Sequence, residues 1–187
     1  MSDSNKNRIK RILLNIPYGQ METMATSKGL VALEFRLPKR SHLLEKRLAK
    51  WFPDYEIEDV THVEENDVLY AASQWLEDYF AGRFNQLKRP PLDLRGTEFE
   101  LKVWHGLLDI PLGETWSYGE LAAHIGNPNA SRAVGGTNRR NPVAIIVPCH
   151  RVIGQNGKLV GYGGGLDLKH ALLEHEKRLE NKVLAFN

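Results

Sequence analysis

Cysteine is almost missing from this chain. There is one, Cys149, among 187 residues. A single thiol cannot close an internal disulfide, and it cannot build a Cys₂His₂ or Cys₄ zinc site. No metal or other cofactor is expected. Long apolar runs are missing too: nothing approaches the roughly 18 apolar residues of a membrane span. Basic residues precede Ile12-Leu13-Leu14, but that run is too short for the core of a signal peptide. The expectation is a soluble, cytoplasmic protein with no membrane association, where a free thiol survives. The Gly-Lys-Ser/Thr ending of a phosphate-binding P-loop is lacking, as are internal repeats and low-complexity tracts. So is any large excess of one charge: 25 Lys+Arg stand against 23 Asp+Glu, a net of +2.

What is present reads as an ordinary globular chain. Apolar residues make up 42% and charged residues 26%, which argues against disorder. The length suits one domain, or two small ones, with a real core. The near-zero net charge conceals an asymmetry. Residues 1–50 carry 11 basic and 4 acidic residues, and residues 51–100 carry 4 basic and 12 acidic. Between 117 and 165, Arg132, Arg139, Arg140, Arg151 and Lys158 face Glu120 alone. A locally basic surface is compatible with a polyanionic partner, although most such patches are simply solvated faces.

Three β-like runs, residues 9–16, 20–26 and 30–37, are separated by Tyr18-Gly19 and Lys28-Gly29. They predict an antiparallel meander. Residues 41–52 have helical spacing through Leu43, Leu44 and Leu48. Residues 53–66 are acidic and read as loop. Residues 67–80 form an amphipathic helix pattern through Val68, Ala71, Ala72, Trp75, Leu76 and Tyr79. Arg89-Pro90-Pro91 then breaks regular structure, and a boundary is expected near 88–96. Beyond it, Thr97-Glu98-Phe99-Glu100 and Ser117-Tyr118-Gly119-Glu120 are capping boxes that open two helices, the first expected to run to Leu112-Gly113. Gly126-Asn127-Pro128-Asn129 is a turn, with Asn129 a candidate N-cap for a helix over 130–138. Helix, glycine-containing turn, helix is the helix-turn-helix pattern. Residues 143–147 are a continuous apolar run between Pro142 and Pro148, which predicts a short buried strand. Leu168, Leu172, Leu173 and Leu179 space a last helix.

Cys149 follows that run directly, beside His150 and Arg151. Positive neighbours favour the thiolate, the nucleophilic form. An inert core cysteine is the commoner state of a lone thiol, but a predicted strand end with basic flanks and a polar segment after it is a poor place for one. Consecutive extended residues point to opposite sides, so a bridging water or a non-extended turn is needed to connect the His150 imidazole with the sulfur. A histidine acting as a base also needs an orienting partner. Glu174 and Glu176 are both in reach, and composition does not choose between them. Gly161, Gly163, Gly164 and Gly165 surround Tyr162, either as turns or as backbone that comes close to a ligand.

The stretch Asn141-Pro142-Val143-Ala144-Ile145-Ile146-Val147-Pro148-Cys149-His150-Arg151-Val152 resembles the active-site signature of the O6-alkylguanine-DNA alkyltransferase family. Three further blocks match in order and spacing: Gly126-Asn127-Pro128 with Arg132-Ala133-Val134-Gly135-Gly136, then Gly161-Tyr162-Gly163-Gly164-Gly165-Leu166, then Leu172-Leu173-Glu174-His175-Glu176. The resemblance is strong over 97–177 and weaker over 8–96. It implies an α/β (α+β) fold. A ribonuclease-H-like domain with a small antiparallel sheet would occupy 1–92. A mainly helical domain with a winged helix-turn-helix and the active-site cysteine would occupy 93–187.

The implied activity is DNA repair by direct reversal of damage, by a monomer acting on double-stranded DNA. An O6-alkylguanine is flipped out of the duplex, and Cys149 takes the alkyl group irreversibly, so each molecule acts once. O4-alkylthymine is a second substrate to test. By the same resemblance His150 would deprotonate Cys149 through a water, Glu176 would orient the imidazole, and Asn141 would hold the polar network beside them. Arg132 would replace the flipped base in the stack, and Asn127 would touch phosphate. Tyr118, Val152, Tyr162 and Gly163 would line the base pocket. The carbonyls of Cys149 and Val152 would accept from the guanine amino group. Gly163, Gly119 and Ala144 depart from residues common in the family. Two other classes compete: a damage sensor without chemistry, and a cysteine hydrolase, for which no third catalytic member or oxyanion motif is recognisable.

Overall fold

The computed structural model describes residues 8–37, 41–65 and 67–184. The side chains of Leu43 and Leu179, both expected on apolar helix faces, lie outside the described residues. The chain divides into two compact units, Met1–Arg95 and Gly96–Asn187.

In the first unit the predicted meander forms as β1 (Arg8–Ile16), β2 (Gly19–Thr26) and β3 (Gly29–Phe35), each antiparallel to the next. Helix α1 (Ser41–Trp51) packs Leu44 and Leu48 against Ile9, Met24, Val31 and Ala32 of the sheet, with Phe52 closing the cluster. The segment expected as acidic loop departs from that reading: Glu56–Asp59 is a strand, β4, parallel to β1. Its partner explains it. Glu58 lies 3.6 Å from Arg8, and Asp59 lies 2.5 Å from Arg11, while Ile57 packs against the core cluster. Opposite charges across neighbouring strands favour the pairing, so part of the charge asymmetry is neutralised inside this unit. Helix α2 (Val68–Ala81) is capped by Asp67, which accepts from the Leu69 amide. The edge strand β3 is wholly buried because residues after the Pro90-Pro91 break return to it. The Leu30 amide donates to the Pro91 carbonyl, and the Asp93 amide donates to the Leu30 carbonyl. Gly29 is required there, since a Cβ would meet the Leu92 backbone at 2.7 Å.

In the second unit both capping boxes form. Thr97 opens α3 (Glu98–Leu107), and Ser117 opens α4 (Tyr118–His124). Helix α3 stops at Leu107, short of the expected end, because the groups after it serve the site: the Ile110 carbonyl and the Gly113 amide are both taken by side chains described below. Short parallel strands β5 (Trp116–Ser117) and β6 (Val152–Ile153) pair. Helix α5 (Ser131–Arg139) completes the helix-turn-helix; its N-cap is Ala130, with no side-chain cap, so Asn129 does not take that role. Helix α6 (Leu166–Leu184) ends the described chain. No described helix is long and apolar enough to cross a membrane.

Residues 143–147 are not a strand. The Val147 amide donates to the Val143 carbonyl, and the Ile146 amide donates to the Ala144 carbonyl, which folds the run into turns. Asn141 fastens this loop at both ends, donating to the Val147 carbonyl at 2.7 Å and accepting from the Val143 amide at 3.0 Å. Ile145 has a φ of 69°, in a region that costs a β-branched residue of order 1–3 kcal/mol. The side-chain bonds from Asn141 and complete burial hold it there.

Candidate active site

The loop delivers the chain to Pro148, and Cys149–Arg151 then form a single 3-10 turn. This is the non-extended geometry that adjacent thiol and imidazole groups require to share one side. Cys149 is 6% exposed, and its carbonyl accepts from the Asn138 amide group at 3.1 Å. Asn138 lies on α5, so the helix-turn-helix is bonded directly to the backbone of the cysteine. Trp104 of α3 fixes the same helix end by donating to the Thr137 carbonyl.

His150 is fully buried, and its Nε2 lies 2.8 Å from Oε1 of Glu176 on α6. An ionised carboxylate only accepts, so Nε2 carries the hydrogen and Nδ1 is the basic nitrogen. Nδ1 is buried and makes no hydrogen bond within the described protein. Burial pushes the imidazole below its usual value, and this outweighs the opposing pull of Glu176. His150 is therefore neutral at neutral pH, with its free lone pair on Nδ1.

Glu176 is held by more than the histidine. Arg151 donates from Nε to Oε2 and from Nη2 to Oε1, each at 2.9 Å, and the Gly113 amide donates to Oε2 at 3.1 Å. Burial alone would raise this carboxyl. His150 and the two-pronged arginine overcome that and hold it well below the usual carboxylate range. Arg151 is itself tied to the Ile110 carbonyl at 2.7 Å.

Tyr118 begins α4, beside the β5–β6 pairing. Its hydroxyl donates to the Val160 carbonyl at 3.2 Å. Burial raises the phenol pKa, the Asn138 contact opposes that, and Cys149 adds to it, so Tyr118 stays a donor at neutral pH. Gly161 has a φ of +58°, and a Cβ there would come to 3.4 Å from the Tyr118 hydroxyl.

The fold thus gathers Cys149, His150, Glu176, Asn141, Tyr118 and Val152 around one turn. Tyr162 and Gly163 are half-buried in the glycine segment. Arg132 and Asn127 are not part of the buried cluster: both are exposed, on α5 and in the turn before it. Glu174, the alternative to Glu176, is half-buried. Three residues of the site carried no expectation beforehand: Asn138, Arg151 as the clamp on Glu176, and Lys169. Lys169 is 0% exposed. A signal for it existed, since Lys169, Leu172 and Glu176 recur at i, i+3 and i+7, which puts a lysine on the buried face of α6. Leu168, expected on that face, is only half-buried.

Comparison with known proteins gives a consistent result. Residues 9–94 match the ribonuclease-like domain of 6-O-methylguanine DNA methyltransferase, and residues 98–178 match its DNA-binding domain. A methylated-DNA–protein-cysteine methyltransferase of Mycobacterium leprae is 55% identical over 123 residues, covering 66% of this chain and 74% of that protein. One from Methanosarcina barkeri is 41% identical over 167 residues, covering 88% and 95%. The crystal structure of Mycobacterium tuberculosis OGT in complex with DNA superposes with a TM-score of 0.69 at 40% identity, covering 92% of this chain and 94% of that one.

Proposed function

The chain belongs to the 6-O-methylguanine DNA methyltransferase family, and from that premise we propose that Cys149 is the acceptor of an alkyl group taken from O6-alkylguanine in double-stranded DNA. The protein is a DNA-repair alkyltransferase that binds DNA and transfers the alkyl group to a cysteine of its own. With one cysteine in the chain, that acceptor is Cys149.

The observation that carries the mechanism is the polarity of the relay: Glu176 occupies Nε2 of His150 and leaves Nδ1 as the base. The thiol proton passes to Nδ1 through a water, and Glu176 stabilises the imidazolium that forms. The thiolate attacks the alkyl carbon. The S–C bond forms as the C–O6 bond breaks, and the bonding pair leaves on the guanine. That developing charge must be met by donors for guanine to leave. The Tyr118 phenol and the Gly163 amide serve, and a proton returned from the site restores neutral guanine. The carbonyls of Cys149 and Val152 accept from the guanine amino group, and Tyr162 closes the pocket. Arg132, exposed on α5, fills the gap left by the flipped base, and Asn127 contacts phosphate. Asn141 maintains the turn that presents the sulfur. This chemistry lies in the 93–187 region. The protein acts as a monomer in the cytoplasm, where its thiol stays reduced.

The test is incubation with duplex DNA carrying one O6-methylguanine labelled on the methyl group. Intact mass should rise by one methyl group per protein, and peptide mapping should place the label on Cys149. Repeated turnover, or label on any other residue, refutes the scheme. Cys149→Ala should lose all transfer and still bind the duplex.

A further inference from the structure

One buried charge takes no part in that scheme. The Lys169 ammonium of α6 donates to the Val152 carbonyl at 2.5 Å and to the Val160 carbonyl at 2.8 Å. Among the described residues no carboxylate pairs with it. An ammonium buried without a carboxylate is expensive, and such a group persists where its charge has a use.

Both of its acceptors belong to the site. Val152 supplies one of the carbonyls assigned to the guanine amino group. Val160 supplies the carbonyl to which the Tyr118 hydroxyl donates. Tyr118 has one hydroxyl proton and cannot hold Val160 and a guanine at once. When it turns to the base, the Val160 carbonyl loses one of its two side-chain donors. Lys169 remains on that carbonyl, so the exchange leaves nothing unpaired. The Val152 amide in turn donates to the Cys149 carbonyl, so the ammonium sits one short turn from the cysteine, where its charge favours the thiolate.

We propose that Lys169 is a positioning residue for alkyl transfer: its ammonium fixes the Val152 and Val160 carbonyls, frees Tyr118 to donate to the base, and sets a positive charge against the Cys149 thiolate. This rests on the reading of Cys149 as the alkyl acceptor. The titratable groups that face it are Cys149 and His150 from the 3-10 turn and, across the shared carbonyl, Tyr118 from α4. Burial lowers the ammonium to about 8, and Cys149 works against that fall. The charge is thus present at neutral pH and is lost as pH rises through that value.

Lys169→Met and Lys169→Arg test the assignment. The rate of Cys149 modification by iodoacetamide, followed against pH, reports the thiolate without any DNA. In Lys169→Met its midpoint should rise by about one pH unit, and single-turnover transfer from O6-methylguanine duplex should fall at least about tenfold. Binding of undamaged duplex should stay within about twofold of wild type. Lys169→Arg, which keeps the charge, should restore the midpoint. An unmoved midpoint in Lys169→Met, or an equal shift in Lys169→Arg, overturns the proposal. Should Lys169→Met fail to fold, ¹⁵N-lysine NMR of the wild-type protein decides. The Lys169 titration should move to lower pH once Cys149 is blocked with iodoacetamide, and an unchanged titration overturns the proposal. A wild-type protein that transfers nothing from DNA, while the iodoacetamide curves shift as expected, supports the lysine's role and counts against the alkyl-acceptor reading instead.

Discussion

Glu176 concentrates four donated hydrogen bonds on one buried carboxylate, from His150, Arg151 twice and Gly113. Removing its charge leaves Arg151 buried without its counter-ion. Glu176→Gln should therefore cost about 3–5 kcal/mol in stability, measured by urea unfolding, and should slow transfer sharply because the imidazole loses its anchor. The pH dependence follows from the same residues. His150 and Glu176 both titrate below their ordinary values of 6.5 and 4.5. Above those values the folded and unfolded states bind the same protons, and the stabilising contribution is fully present. As pH falls below 6.5 and then below 4.5, the unfolded state takes up protons the folded state refuses, and stability declines. Urea midpoints should fall progressively as pH drops below about 7. Little of this was legible in the sequence. Glu174 and Glu176 are equivalent by composition; the family resemblance points to Glu176, and the rotation of α6 is what puts it on His150.

The elements were more legible where their signals are local. A capping box is a bond between residues three apart, so Thr97 and Ser117 announced their helices directly. Ser117→Ala should cost about 1 kcal/mol in thermal or urea unfolding. It should also reduce transfer, because Tyr118 is the first residue of the helix that Ser117 caps. The recognition helix α5 makes a separable prediction. Arg132→Ala should slow repair of duplex DNA by at least about tenfold while leaving reaction with free O6-benzylguanine nearly unchanged, compared by single-turnover assay. Equal losses would remove Arg132 from base flipping. Two elements were misread for one reason: their structure is set from outside. The 143–147 run has the composition of a strand, but among the described residues no strand pairs along it, and Asn141 bonds it into turns. The β4 strand has a single apolar residue, Ile57, and is recruited by the arginines of β1.

At the scale of the whole molecule, the net charge of +2 says little, because its components are sorted in space. Acidic β4 is spent against basic β1, and within 117–165 Arg151 is buried on Glu176 and Arg140 pairs with Glu100, while Arg132, Arg139 and Lys158 are exposed. Association with duplex DNA should accordingly weaken as salt rises. Fluorescence anisotropy should give a linear log–log dependence with a slope of about −0.9 per phosphate neutralised, and salt-independent binding would contradict a phosphate-contacting surface.

The sequence by itself determined the inventory and everything governed by near neighbours. It supplied one thiol and therefore one possible acceptor, helix starts written in three-residue bonds, an alternating meander, and four ordered blocks that identify the family. The tertiary structure decided what depends on groups distant in sequence meeting in space. It made the Cys149 segment a turn, gave His150 its tautomer through a residue 26 positions away, bonded α5 to the cysteine carbonyl through Asn138, and buried Lys169 beneath the site. Hydrogen bonds between near neighbours follow from the local pattern. Convergence of buried polar groups follows only from how the helices and loops pack, because that packing fixes which donors and acceptors are left to satisfy one another.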